Sequence, residues 1–154
     1  MEAQASFLGQ YEHSLDEKNR IIVPSKFREY IKMNEGIENA PLIITRGLDK
    51  ALFLFTKKNW ANFTGGIRDF PMTNESARVF VRFFFAGAAE QTPDKQGRLV
   101  IPSHLKEFAE IKREIVIIGA MDRIEIWSKE NWSDYFSRRF KDIESISETL
   151  TQWK

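Results

Sequence analysis

Two aspartate–arginine pairs carry the sharpest chemistry in this sequence. Asp16 stands four residues before Arg20, and Asp94 four residues before Arg98. An aspartate at a turn entrance accepts local backbone N–H groups. An arginine beside it lowers its pKa and keeps it ionised, which suits a turn brace better than a general acid. The arginine itself offers a rigid donor fork that can pair bidentately with guanine O6 and N7, while neighbouring Lys and Arg hold phosphates. Enzyme chemistry has less to stand on. His13 and His104 are the only histidines, and no G-x-S-x-G, H-E-x-x-H, Walker or G-x-G-x-x-G signature accompanies them. Gly65-Gly66 is an isolated pair that reads as a flexible turn. The absence of cysteine excludes a disulfide scaffold, a Cys-ligated metal and thiol catalysis. We therefore expect no catalytic residue, no metal, no cofactor and no small-molecule substrate.

The two pairs belong to an internal repeat. Phe7, Gly9, Glu12 and Asp16 match Phe85, Gly87, Glu90 and Asp94 at a constant offset of 78. The match runs without a gap through Arg20-Ile-Ile-Val-Pro24-Ser25 and Arg98-Leu-Val-Ile-Pro102-Ser103. Later blocks, Leu48-Asp49-Lys50 with Met121-Asp122-Arg123 and Phe55 to Trp60 with Trp127 to Trp132, match at offsets of 73 and 72. The first copy thus carries about six extra residues in loops, five of them placed between Asn34 and Pro41. Duplication kept only for folding would preserve apolar periodicity. An Asp and an Arg four apart go beyond that, and favour two equivalent binding edges about a pseudo-two-fold axis.

The elements that must position these pairs follow from pattern. Each copy reads strand, turn, strand, helix, strand, strand, helix. Tyr11 to Leu15 and Ala88 to Thr92 lead into the turns. Asn19 and Gly97 share one turn position, and both tolerate the left-handed conformation. The β-branched runs after Arg20 and Arg98 end at Pro24 and Pro102, which stop a ladder and open a helix. Helices are predicted over Ser25 to Lys32 and Ser103 to Ile111, with Phe27, Ile31, Leu105 and Phe108 inward. Leu42 to Thr45 and Ile115 to Ile118 read as buried strands, hairpinned to Ala51 to Phe55 and Ile124 to Trp127. Thr56 and Ser128 are N-caps for the next helices. Thr73 is expected to cap a linker helix through Val79, Phe80, Phe83 and Phe84. Trp132, Tyr135, Phe136 and Phe140 mark one apolar helix face, which packs either on the protein's own sheets or on a neighbour. Most other aromatics are expected in the core.

The chain of 154 residues is long enough for one or two small domains with a real core. Net charge is only +1, which does not advertise a nucleic-acid binder. Read locally the balance changes. From His13 to Lys32, the bases Lys18, Arg20, Lys26, Arg28 and Lys32 outnumber the acids by two. From Asp94 to Arg113, Lys95, Arg98, Lys106, Lys112 and Arg113 do the same. A two-stranded ribbon bearing such residues fits the major groove of B-DNA. The arginines bridge to their aspartates, contact DNA, or do both, the carboxylate orienting the fork. No basic n-region with an apolar core begins the chain, and no apolar stretch approaches the roughly 20 residues of a membrane span. The expected address is the cytoplasm.

Asp-x-x-x-Arg followed by an apolar triplet and proline, twice, resembles the MraZ family of bacterial regulators. The motifs are Leu8-Gly9-Gln-Tyr11-Glu-His13-Ser-Leu15-Asp16-Glu-Lys18-Asn19-Arg20 with Pro24-Ser-Lys26-Phe27-Arg28, and Phe84-Phe85-Ala-Gly-Ala-Ala-Glu90 with Asp94-Lys-Gln-Gly97-Arg98-Leu-Val-Ile-Pro102. The resemblance covers Phe7 to about Phe140. It implies an α+β fold of two tandem pseudo-symmetric repeats, forming an AbrB-like swapped-hairpin β-barrel with flanking helices. The repeats would span 7–72 and, with the linker helix, 73–140, followed by a C-terminal extension 141–154. It further implies a DNA-binding transcriptional regulator of the division and cell-wall gene cluster, nucleoid-associated and assembled into ring-like homo-oligomers on promoter repeats. Its DNA contacts map to Arg20 and Arg98, with Lys18 and Lys95 beside them. Lys26, Arg28 and Lys106 complete the basic set, and Asp16, Asn19, Asp94 and Gly97 shape the turns. Asn19 departs from the family's usual glycine, and Pro93 precedes the second aspartate. The competing reading is an oligomeric protein-interaction or antitoxin-like module without catalysis.

Overall fold

Leu42-Ile-Ile-Thr45 and Leu52-Phe-Leu-Phe55 are apolar without alternation because the strands they form are covered on both faces. A computed structural model describes residues 6–150. In chain order they form β1 (Gln10–Ser14), β2 (Arg20–Ile22), α1 (Ser25–Glu35), β3 (Leu42–Arg46), β4 (Leu52–Thr56), α2 (Lys57–Ile67) and α3 (Glu75–Gly87). The second half gives β5 (Ala89–Gln91), β6 (Arg98–Val100), α4 (Ser103–Phe108), β7 (Glu114–Gly119), β8 (Ile124–Ser128), α5 (Lys129–Arg139) and α6 (Ile143–Glu148). The end of the predicted extension, 151–154, lies outside the described residues, as do 1–5.

Six strands form one antiparallel sheet in the order β1-β7-β8-β4-β3-β5, and β2 pairs with β6 in a separate ribbon. The repeats exchange strands. β1 of the first copy pairs with β7 of the second, Tyr11 opposite Ile117, while β5 pairs with β3, Glu90 opposite Ile43. The sheet is open at β1 and β5, and among the described residues no pairing closes it into a barrel.

Two apolar clusters flank the sheet. On one side Leu42, Ile44, Leu52, Leu54, Ile115 and Ile126 meet the ribbon's Ile21 and Leu99 and the helix residues Phe27, Ile31 and Leu105. On the other, Phe53, Phe55 and Trp127 pack with Phe84 of α3, Phe63 of α2 and Trp132 of α5. Full burial of one such side chain is worth about 1.5–3 kcal/mol. Ile21 and Leu99 therefore fasten the ribbon to the body.

Several boundaries differ from the sequence reading. The extra residues of the first copy lie partly in a helix: α1 runs to Glu35 and ends on a left-handed Gly36, whereas α4 stops at Phe108. α4 falls short of Ile111 because Glu110 adopts a positive φ of 58°. The linker helix is capped by Asn74, whose side chain accepts from Ala77 N–H, not by Thr73. The capping oxygen must reach an N–H three residues on, and the helix begins at Glu75. Thr56 and Ser128 cap as expected, accepting from Asn59 and Asn131. Phe108 is only half-buried, and Phe85 is exposed instead of lying in the core.

Candidate nucleic-acid interface

Each hairpin turn is built on its aspartate. Asp16 Oδ1 accepts from the backbone N–H of Lys18 and Arg20 at 2.8 and 2.9 Å. Its Oδ2 accepts from Arg20 Nε at 2.7 Å. Asp94 repeats this with Gln96 and Arg98 at 2.9 Å each, and with Arg98 Nε at 2.7 Å. Asn19 and Gly97 supply the positive φ at the turn, 59° and 80°. The backbone bonds from Arg20 and Arg98 are the main cause that holds both carboxyls below the usual aspartate range, aided by the guanidinium groups and opposed by partial desolvation. Both acids stay ionised and hold their arginines. Only Nε is used. Among the described residues the terminal guanidinium nitrogens of Arg20 and Arg98 make no hydrogen bond, and both arginines remain partly exposed.

The ribbon sets the two arginines in one frame. Ile21 pairs with Leu99, Arg20 with Val100, and Ile22 with Arg98. The pseudo-two-fold axis therefore passes through the Ile21–Leu99 pair. Beyond the strands, Val23 N–H donates to Gly97 O and Ile101 N–H to Asn19 O, both at 2.9 Å, so each strand end holds the other copy's turn. Arg20 and Arg98 sit diagonally on one face, a spacing of roughly 7–8 Å for such neighbours.

The other basic residues do not all join them. Lys18 and Lys95 are exposed on the turns. Lys106 is half-buried and donates through Nζ to Asn19 Oδ1 at 3.0 Å, across the repeats. Arg28 is half-buried, donates through Nε to Val23 O at 3.0 Å, and lies over Gly97. Both brace turns as well as carrying charge. Lys26 is exposed in a depression with Ser6, Leu8 and Tyr30, toward the start of the chain. Its counterpart His104 bonds Gly87 O through Nε2 at 3.0 Å, so position 26 faces the chain entry and not the hairpin apex. Ile22 and Val100, exposed beside the arginines, were not singled out from sequence; their period-2 relation to Arg20 and Arg98 was the available signal.

Among the described residues no three His, Asp or Glu are grouped to hold a metal ion, and no helix is long and apolar enough to cross a membrane. The arrangement offers two oriented guanidinium forks on one twisted ribbon, with lysines at its rim.

The chain matches a family model described as "MraZ protein, putative antitoxin-like" twice, over residues 6–83 and 84–153. It is 43% identical to the transcriptional regulator MraZ of Acetivibrio thermocellus over 144 residues, 94% of this chain and 96% of that protein. The protein of the same name in Carboxydothermus hydrogenoformans is 42% identical over 147 residues, covering 96% and 98%. That of Clostridium beijerinckii is 47% identical over 144 residues, covering 94% and 96%.

Proposed function

The chain belongs to the MraZ family, and from that premise we propose that it is a sequence-specific, DNA-binding transcriptional regulator that reads the major groove with Arg20 and Arg98. The observation that carries this reading is the diagonal of two Asp-oriented guanidinium groups on one two-stranded ribbon. Such a ribbon fits the groove, and an oriented fork is the donor pattern that guanine O6 and N7 accept. Lys18 and Lys95 stand where flanking phosphates would run. The crossed hairpins act as an AbrB-like swapped-hairpin unit, in which neither repeat completes the interface alone. The target is promoter DNA of the division and cell-wall gene cluster, bound in the cytoplasm at the nucleoid by a ring-like homo-oligomer. Catalysis has no part in this role.

A specific observation supports assembly. The rings of Phe136 and Phe140 lie tilted with centroids 4.3 Å apart yet remain exposed, and Val79, Phe80, Phe83 and Leu48 line an open apolar groove of about 470 Å³. Exposed apolar surface of this kind marks contact sites. The same surfaces would serve a second reading, an antitoxin-like interaction module. Selection from a randomised duplex pool tests the first: wild type enriches a defined sequence and Arg98→Ala does not. Enrichment of no sequence by wild type would overturn DNA reading in favour of the interaction module.

A further inference from the structure

The ribbon has an outer face that the two arginines do not fill. Strand alternation sends Ile21 and Leu99 into the core, at 1% and 0% exposure. It sends Arg20, Ile22, Arg98 and Val100 to the opposite face, where Ile22 is 47% and Val100 43% exposed. Half-covered antiparallel strands ordinarily carry polar residues on the open face. Here the open face carries two β-branched apolar residues at symmetry-related positions.

Register ties them to the arginines. The bonds from Val23 to Gly97 and from Ile101 to Asn19 fix alternate pairs as hydrogen-bonded. By alternation, Arg20 with Val100 and Ile22 with Arg98 are the non-hydrogen-bonded pairs, whose side chains lie closest. Each guanidinium fork thus has an aliphatic side chain of the other repeat beside it. Asp16 and Asp94 hold the forks through Nε, so this juxtaposition is fixed before any ligand arrives.

Resting on the DNA reading above, we infer that Ile22 and Val100 are specificity-determining residues that contact the C5-methyl of a thymine adjoining the base pair read by the opposite arginine. The thymine methyl is the apolar mark in the major-groove code, and apolar side chains recognise it by contact. A branched side chain that neither donates nor accepts hydrogen bonds selects against bases presenting a polar edge there. Each half of the recognition then draws its donor fork from one repeat and its apolar contact from the other.

The test is a methyl deletion. The duplex selected by wild type is resynthesised with each thymine replaced in turn by deoxyuracil, and Kd is measured for wild type, Ile22→Ala and Val100→Ala. Wild type should lose about fourfold at one thymine per hairpin, the worth of one buried methyl group. The matching alanine variant should bind the thymine and uracil duplexes equally. Both residues are exposed, so thermal stability should hold, and a melting curve checks it. Wild type indifferent to every uracil, or alanine variants that stay as sensitive as wild type, would overturn the inference while leaving the DNA reading intact. A wild type that selects no duplex would instead overturn the DNA reading, and the inference with it.

Discussion

Lys106 Nζ donates to Asn19 Oδ1 at 3.0 Å, so the α4 helix of the second repeat holds the hairpin turn of the first. The symmetry-related contact differs in kind. Arg28 of α1 lies over Gly97, where an added Cβ would stand 2.7 Å from its Nε and 2.8 Å from its Cδ. The turn residue and the brace have therefore diverged as a pair, Asn with Lys and Gly with Arg.

That pairing makes Gly97→Asn a defined insult. Asparagine accepts the φ of 80°, but its Cβ must displace Arg28 and break the bond to Val23 O. We expect a loss of about 1 kcal/mol in stability. Adding Arg28→Lys rebuilds the arrangement of the first repeat and should recover much of it. A double-mutant cycle by denaturant unfolding measures the coupling. Additive losses would show that the two sites do not communicate.

The arginines should separate specificity from folding. Arg20→Ala and Arg98→Ala each remove a fork whose one hydrogen bond is the part-buried Nε bridge to the aspartate of its own turn. A bridge in so exposed a setting has small net worth, so melting temperature should fall by only a few degrees. Binding to the selected duplex, measured in competition with random DNA, should fall roughly tenfold to a hundredfold, the worth of one bidentate base contact at about 1–3 kcal/mol. Arg98→Lys should fall nearly as far, because a point charge cannot replace the fork.

The lysines should act on affinity alone. Lys18 and Lys95 are exposed on the turns, and in the proposed reading they contact phosphates and not base edges. Lys18→Ala or Lys95→Ala should weaken all sequences about equally and reduce the slope of log K against log salt by about 0.9. An unchanged slope would remove that residue from the phosphate contacts.

The turns were legible in the sequence because their chemistry is local. An Asp and an Arg four apart, with Asn or Gly between, close a hydrogen-bonded loop without help from the rest of the chain. The ribbon was not legible in the same way. Its register joins residues 78 apart, and only that register reveals that Ile22 faces Arg98. Strand alternation alone puts Ile22 on the face of Arg20, but it says nothing of which residue lies opposite. The basic residues of α1 and α4 show a related gap. Their charge is visible in sequence, while the engagement of Arg28 and Lys106 with turn atoms depends on tertiary placement. The aromatic face of α5 is divided: the rings of Trp132 and Tyr135 lie 5.1 Å from that of Trp127, while Phe136 and, in the turn after the helix, Phe140 are exposed.

Acid should loosen both hairpins. Asp16 and Asp94 have carboxyls held below their ordinary value, chiefly by backbone N–H bonds from Arg20 and Arg98. A depressed folded-state pKa means the unfolded chain takes up protons first. The contribution is therefore complete above the unfolded value of about 3.9 and is lost as pH falls through the lower folded value. Carboxyl chemical shifts should titrate below that value in both residues, and Asp94→Asn should flatten the acid limb of the stability curve. Titration at the ordinary value would show that the turn does not favour the charged form.

The exposed aromatics give the last prediction, and it bears on the near-neutral charge of the whole chain. A protomer of net charge +1 has a weak field, and in the proposed reading its two basic turns would supply only a few phosphate contacts. Joining copies turns further contacts into intramolecular events and raises avidity without new chemistry. The tilted pair Phe136 and Phe140 lies exposed on α5 and the turn that follows it. Both rings also lean on Trp132, with centroids 6.0 and 5.6 Å away, so replacing both by serine should lower the melting temperature of the isolated protomer modestly while leaving it folded. Sedimentation should show a shift to smaller species. Affinity for a duplex carrying repeated sites should drop at least tenfold, while affinity for a duplex with one site changes little. An unchanged sedimentation profile would place the assembly surface elsewhere, with the groove of Val79 and Phe83 the next to test.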